Sequence, residues 1–193
     1  MDLSKRLLRN DLKRGLSLAG MFLAVLFAAG CESRPKAPAL RDTPVFHSKA
    51  EGFRFLVPEK WKQTANGVLP GGKLDRAIMF ARFRMIETQK SGFLELLCFD
   101  EGKHPSLLEY HAGPSQGVSA WKSVGEPESI EINQTPAERF IFSALIGKEP
   151  MHKEVVVFTR NQRVYSFVGL FSESDNAARE ELRRAMNSIV WER

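Results

Sequence analysis

Six runs of apolar residues mark the strands that this sequence predicts. They span residues 53–57, 77–85, 93–99, 137–146, 153–159 and 163–171. In the first run Phe53, Phe55 and Val57 repeat with the two-residue period of a strand, which Pro58 then ends. The gaps between the last three runs are too short for a helical crossover, so these runs predict an antiparallel meander.

Two segments show helical patterns. Residues 105–111 begin with Pro105 in a first turn and end before Gly113, which suits a short helix. The last helix begins after Ser172 or Ser174 as its cap and carries an apolar stripe at three- and four-residue steps. The stripe consists of Ala178, Leu182, Ala185, Met186 and Ile189.

Several of the predicted strands are apolar on both faces, so the sheet must be covered on both sides. The predicted fold is therefore an α+β domain with a central antiparallel sheet of about six strands, covered by helices on both faces. We expect Trp61 to turn back and pack over the strand that ends at Pro58.

The start of the chain resembles a bacterial lipoprotein signal. Basic residues at positions 5, 6, 9, 13 and 14 precede the apolar run 16–27, which closes on Ala28-Ala29-Gly30-Cys31. The resemblance implies cleavage before Cys31, a diacylglyceryl group on its sulfur and a further acyl chain such as palmitate on its amino group. Two or three such chains give stable membrane anchoring. The alternative is an ordinary secretory signal followed by a chance cysteine.

These features divide the chain into three parts. Residues 1–30 form the predicted signal peptide, residues 31–44 a lipidated cysteine with a proline-rich tether, and residues 45–193 one globular domain. Removing the signal reduces the net charge from +5 to +2, because five basic and two acidic residues leave with it. The remaining Lys and Arg are dispersed among acidic residues, so no nucleic-acid partner is expected.

Sites of chemistry are sparse in the sequence. Cys98 lies in an apolar run and is predicted to be a buried, unreactive thiol, and with Cys31 lipidated no disulfide forms. The histidines are scattered, and none has Cys or His neighbours at ligand spacing. We therefore predict no metal site, no cofactor and no catalytic residue. The segment 100–104 comes nearest to a cluster of metal-binding or acid–base side chains, and we predict that it is a solvated loop.

The arrangement of motifs resembles the PsbP family, which also includes bacterial periplasmic proteins such as DcrB. The resemblance rests on Gly52-Phe53-x-Phe55-x-x-Pro58-x-x-Trp61, on the hairpin and meander that follow, and on a closing helix that ends in Ser188-Ile189. It covers the chain from about Val45 onwards. It implies the fold, an α/β/α sandwich, and binding or assembly roles at membranes or complexes, without catalytic residues.

The favoured function is a lipid-anchored, non-enzymatic binding or assembly protein in the bacterial envelope. Its domain would face the periplasm from the cytoplasmic or outer membrane, with the lipid on Cys31 as its membrane contact and another envelope protein as its partner. No small-molecule substrate is indicated. The candidate binding residues are Tyr110, His104, His111, Arg82 and Arg84. The alternative is a small hydrolase or ligand-binding enzyme that uses the loop around His104 and His111, and both histidines are predicted to be exposed.

Overall fold

The computed structural model describes residues 44–67, 77–85, 92–102 and 106–192. The chain divides into the units Met1–Asp42 and Thr43–Arg193, and only the second contains described residues. The predicted signal peptide, Cys31 and almost all of the tether lie outside the described residues. Among the described residues no helix is both long and apolar enough to cross a membrane.

The described part of the chain contains eleven strands and two helices. They are β1 (Val45–Ser48), β2 (Phe53–Leu56), β3 (Trp61–Asn66), β4 (Ile78–Met85), β5 (Phe93–Asp100), α1 (Leu107–Ala112), β6 (Lys122–Ser123), β7 (Glu128–Ile132), β8 (Thr135–Ile146), β9 (Glu149–Arg160), β10 (Arg163–Ser172), α2 (Asn176–Asn187) and β11 (Val190–Trp191).

Eight of these strands form one large antiparallel sheet. Its order is β3-β4-β5-β10-β9-β8-β6, and β7 pairs with the same strand, β8, as β6 does. The long strands β8, β9 and β10 follow one another directly, which confirms the predicted meander. The predicted hairpin of β4 and β5 is also present.

One face of the large sheet, here called the back face, carries Tyr165, Phe167 and Gly169 of β10. A second, three-stranded sheet of order β1-β2-β11 packs on it. The ring centroid of Phe167 lies 6.0 Å from that of Phe53 and 5.5 Å from that of Phe55. Beside this small sheet, α2 covers Gly169 so closely that a Cβ there would lie 3.1 Å from Met186 Cε.

The opposite face, the front face, carries Ser166, Val168 and Leu170 of β10. Its cover is the six-residue helix α1 with the loop 113–121, which α1 leads into. Trp121 anchors this loop, because it is 3% exposed and its indole Nε1 donates to Ser115 Oγ at 2.9 Å.

The predicted fold class is wrong. The described residues are mostly strand, with two short helices, and they form two antiparallel sheets instead of one sheet between helical layers. The main sheet also has eight strands where about six were predicted. The error arose at the ends of the domain, where β1, β2 and β11 were not recognised as one sheet. The pairs between β11 and β2, such as Trp191 with Phe53, join residues far apart in the sequence.

Several local predictions are confirmed and two are wrong. Cys98 is fully buried, and Trp61 is 7% exposed. The whole predicted stripe of the last helix is buried. The cap of this helix, however, is Asp175 and not a serine, and its carboxylate accepts from Ala178 N at 3.1 Å. The two-residue period of the run 77–85 predicts that Met79 shares a face with Ala81 and Phe83, but Met79 is 38% exposed, because a bulge between Met79 and Ala81 breaks this alternation.

Candidate functional site

A buried lysine lies at the centre of the front face. Lys153 of β9 is 2% exposed, and its ammonium group donates to the main-chain oxygen of His111 and, at 3.2 Å, to Ser115 Oγ. The same nitrogen lies 4.3 Å from the ring centroid of Trp121 and 5.1 Å from that of Phe142. These contacts hold the end of α1 and the following loop against the sheet.

The environment of Lys153 disfavours its charged form. Burial lowers the pKa of this lysine from 10.5 to about 7, because the ammonium group loses its hydration in the protein interior. Among the described residues, none of the ion pairs includes Lys153. Within the described part of the chain, the lysine is therefore held by two oxygen acceptors and two aromatic rings, and by no carboxylate.

His111 is buried beside this lysine. It lies in the last turn of α1, whose first turn is fixed by Ser106, since the Ser106 hydroxyl accepts from Glu109 N at 3.3 Å. The ring atom Nε2 of His111 is hydrogen-bonded to Ser166 Oγ of β10 at 3.0 Å, and His111 is 4% exposed. The prediction that His111 is exposed is wrong.

A second polar group lies on the neighbouring strand β5. The carboxylate of Glu95, which is 4% exposed, accepts a hydrogen bond from Arg82 through Oε1 and one from Gln116 Nε2 at 3.2 Å through Oε2. The guanidinium of Arg82 also stands 5.2 Å from the ring centroid of Phe93. Burial, with a smaller contribution from Arg84, lowers the pKa of Arg82. The side chain of Arg82 therefore forms an internal ion pair with Glu95.

Two small depressions open between these groups. The first encloses about 150 Å³ and is lined by Lys153, Glu95, His111, Ser115, Gln116 and Tyr110, with Leu97, Pro114 and Val168. The second encloses about 260 Å³ and is lined by Arg84, Met85, Gly92, Phe93, Gln116, Ile146 and Leu170. Gln116 borders both. Each is smaller than the roughly 300 Å³ at which ordinary small-molecule pockets begin.

Tyr110 forms the exposed rim of the first depression. Its residue is 41% exposed, yet its ring is held at 5.4 Å from the ring of Phe99 and at 5.0 Å, edge to face, from that of His111. The partial burial raises the pKa of its phenol, so the hydroxyl stays protonated at neutral pH. The result is an exposed aromatic side chain in a fixed orientation.

The structure brings four of the five predicted binding residues to the front face. Tyr110 and His111 border the first depression, Arg84 borders the second, and Arg82 stands behind Glu95. His104 lies outside the described residues. A role in partner binding for any of these residues stays a prediction.

Lys153, Glu95 and Ser166 were not found by the sequence reasoning, although they form the centre of the site. The available signal was a charged residue inside an apolar strand. Lys153 and Glu154 stand at the start of the run 153–159, and Glu95 interrupts the run that contains Leu94 and Leu96. Charged residues in such positions are buried only when they are paired or otherwise satisfied.

Metal ligation has no support in the described part of the chain. No group of three or more His, Cys, Asp or Glu side chains is placed there to hold a metal ion. The thiol of Cys98 is buried among strands, which raises its pKa to about 12. The thiolate that a nucleophile or a metal ligand requires is therefore strongly disfavoured.

No protein-family model and no curated relative matches this sequence. Solved structures do match it. The solution structure of cyanobacterial PsbP (CyanoP) from Synechocystis sp. PCC 6803 aligns over 77% of this chain and 91% of its own, with a TM-score of 0.53 and 14% identity. The domain has a PsbP-like fold. The similarity confirms the predicted resemblance to PsbP for the fold of the domain. At 14% identity the similarity shows the fold alone.

A crystal structure from Bacteroides thetaiotaomicron VPI-5482 is also similar. It aligns over 78% of this chain with a TM-score of 0.50 and 8% identity. The match spans about half of that protein, 49% of its length. This PsbP-like domain is therefore similar to one part of a longer chain.

Proposed function

We propose that this protein is a lipid-anchored, non-enzymatic binding or assembly protein on the outer side of a bacterial membrane. The predicted lipid on Cys31 supplies the anchor, and the segment 31–44 supplies the tether. The PsbP-like domain presents its front face to a partner protein of the envelope. Tyr110 and Arg84 are the contact residues, His111 packs against the ring of Tyr110, and Arg82 lies behind them in its ion pair with Glu95.

The observation that carries this proposal is the packing of Tyr110. Interfaces concentrate their binding energy in a few aromatic and arginine side chains. An exposed tyrosine that is already fixed by Phe99 and His111 loses little side-chain entropy when a partner covers it. The back face offers no comparable surface in the described residues, because α2 and the second sheet cover it.

The size of the depressions favours binding over catalysis. At about 150 and 260 Å³, they suit single side chains of a partner. The alternative of a small hydrolase would need a larger cleft in which His111 faces a substrate. In the structure, His111 Nε2 instead faces the hydroxyl of Ser166, which is fully buried.

The test is capture of the partner by the full chain, extracted from membranes after cross-linking. Tyr110→Ala should reduce recovery of the cross-linked partner at least several-fold. Val190→Ala is the matched control, because Val190 is a 38% exposed apolar residue of β11, in the second sheet that packs on the back face. Equal recovery with Tyr110→Ala and the parent would contradict the proposal. A loss of cellular function with His111→Ala at normal protein level, with Tyr110→Ala silent, would favour the enzyme.

A further inference from the structure

Lys153 differs from the two buried glutamates of the described residues. Glu95 is paired with Arg82, and Glu154 is paired with Arg139 at 3.3 Å and with Arg183 at 2.9 Å. No acidic side chain of the described residues forms an ion pair with Lys153. A buried charge without an opposite charge is unfavourable, so a bound anion would stabilise the protonated form of this lysine.

The first depression, beside Lys153, has the size and lining for a small polar group and is called the cavity from here on. Its volume is about 150 Å³, and a cavity of roughly this volume accommodates a benzene molecule. Six of the nine residues that line it carry hydrogen-bonding side chains, among them Ser115 and Gln116. A ligand of a few non-hydrogen atoms with a charged end fits these properties.

We propose that this cavity binds a small carboxylate group, which forms an ion pair with the ammonium group of Lys153. The carboxylate belongs either to a free short-chain carboxylic acid or to an acidic side chain of a protein segment. Tyr110 also borders this cavity, so the site lies within the proposed partner surface, but it is Lys153 and not Tyr110 that recognises the charge of the ligand.

Glu95 is the one group on the cavity wall that opposes such a ligand. Both of its oxygens already accept hydrogen bonds, from Arg82 and from Gln116, and none of the ion pairs among the described residues joins it to Lys153. Its negative charge repels a second carboxylate. Neutralising Glu95 should therefore strengthen binding, whereas removing Lys153 should abolish it. The two substitutions are therefore expected to change the affinity for the carboxylate in opposite directions.

The first experiment uses the protein without substitutions. Acetate is titrated at constant ionic strength at about pH 6, where Lys153 is charged because this pH lies below its lowered pKa of about 7. Binding is followed by the amide resonances of Ser115 and Gln116. Acetamide, which has the same shape and no charge, is the matched ligand. We expect saturable shifts with acetate and affinity at least about tenfold lower for acetamide, a difference of about 1.4 kcal/mol.

The second experiment compares three variants. Lys153→Met should lose saturable acetate binding, Glu95→Gln should bind acetate several-fold more tightly, and Lys148→Met should be unchanged, because Lys148 is exposed. The amide spectrum and thermal midpoint of each variant report whether it is folded. Unchanged binding in folded Lys153→Met would overturn the proposal. If that variant does not fold, equal binding of acetate and acetamide by the parent would overturn it instead.

A third arm identifies the source of the carboxylate. Blocked tripeptides with a central Asp or Asn are titrated in the same way. If the Asp peptide shifts the same amides as acetate and the Asn peptide does not, the site accepts an acidic side chain. If only acetate does so, the ligand is a free acid. These titrations use neither the partner protein nor the Tyr110→Ala variant, so failure of this site and failure of partner capture are separate outcomes.

Discussion

Lys153 Nζ donates a hydrogen bond to the main-chain oxygen of His111 and so joins the middle of β9 to the last turn of α1. Its second bond, to Ser115 Oγ, fixes the loop that follows. We expect Lys153→Met to release this loop while the sheet stays intact. Hydrogen exchange should then be faster at residues 112–118 and unchanged in β10, whereas unchanged protection at 112–118 would show that the rings alone hold the loop.

The same lysine should make stability depend on pH. Its pKa is lowered from 10.5 to about 7 in the folded protein, so between these values the unfolded chain binds a proton that the native chain does not. The contribution of Lys153 to the free energy of unfolding must then rise with pH across this window, by an amount of the order of a few kcal/mol, whereas the raised pKa of Cys98 gives a contribution that falls above about pH 9. Urea unfolding at about pH 7 and pH 10 should show this rise in the parent and not in Lys153→Met. Parallel pH profiles would contradict the prediction.

Trp61 joins the edge of the large sheet to α2. Its side chain is buried, and its Nε1 donates to Glu181 Oε2 at 2.9 Å. Trp61→Ala should lower the free energy of unfolding by about 3–5 kcal/mol, as truncation of a buried aromatic side chain does. Trp61→Phe keeps most of the packing and should show a smaller loss. Chemical unfolding of both variants checks this order, and equal losses would mean that packing contributes little.

His111→Ala should destabilise the domain by about 1–3 kcal/mol, because it leaves the fully buried hydroxyl of Ser166 without its partner. The double variant with Ser166→Ala supplies the control, since it removes the unpaired hydroxyl as well. We expect it to be less destabilised than the sum of the two single variants. Strict additivity in unfolding measurements would show that the hydrogen bond contributes nothing.

Cys31→Ser tests the predicted anchor. The basic, apolar and small-residue order before Cys31 predicts that the parent is lipidated, cleaved and recovered in the detergent phase. The variant should accumulate as an uncleaved precursor, visible by its mass. Recovery of the variant as a cleaved protein in the aqueous phase would show an ordinary secretory signal instead.

The sequence alone determined the elements whose signals are local. The meander of β8, β9 and β10 follows from apolar runs with short gaps, and the buried stripe of α2 follows from its three- and four-residue steps. The motif from Gly52 to Trp61 indicated a PsbP-like domain, which the similarity to CyanoP confirms. In each case residues close together in the sequence carry the pattern, so the sequence alone is enough to predict the element.

Only the tertiary structure decided the second sheet and the site. The small sheet pairs Val190 with Arg54, and Leu56 N is held by Ser188 Oγ at 2.8 Å, across almost the whole domain. Lys153 and His111 likewise lie on different elements, and their meeting depends on how α1 crosses the front face. Short strands and single buried charges leave weak local signals, because their stability comes from partners distant in sequence.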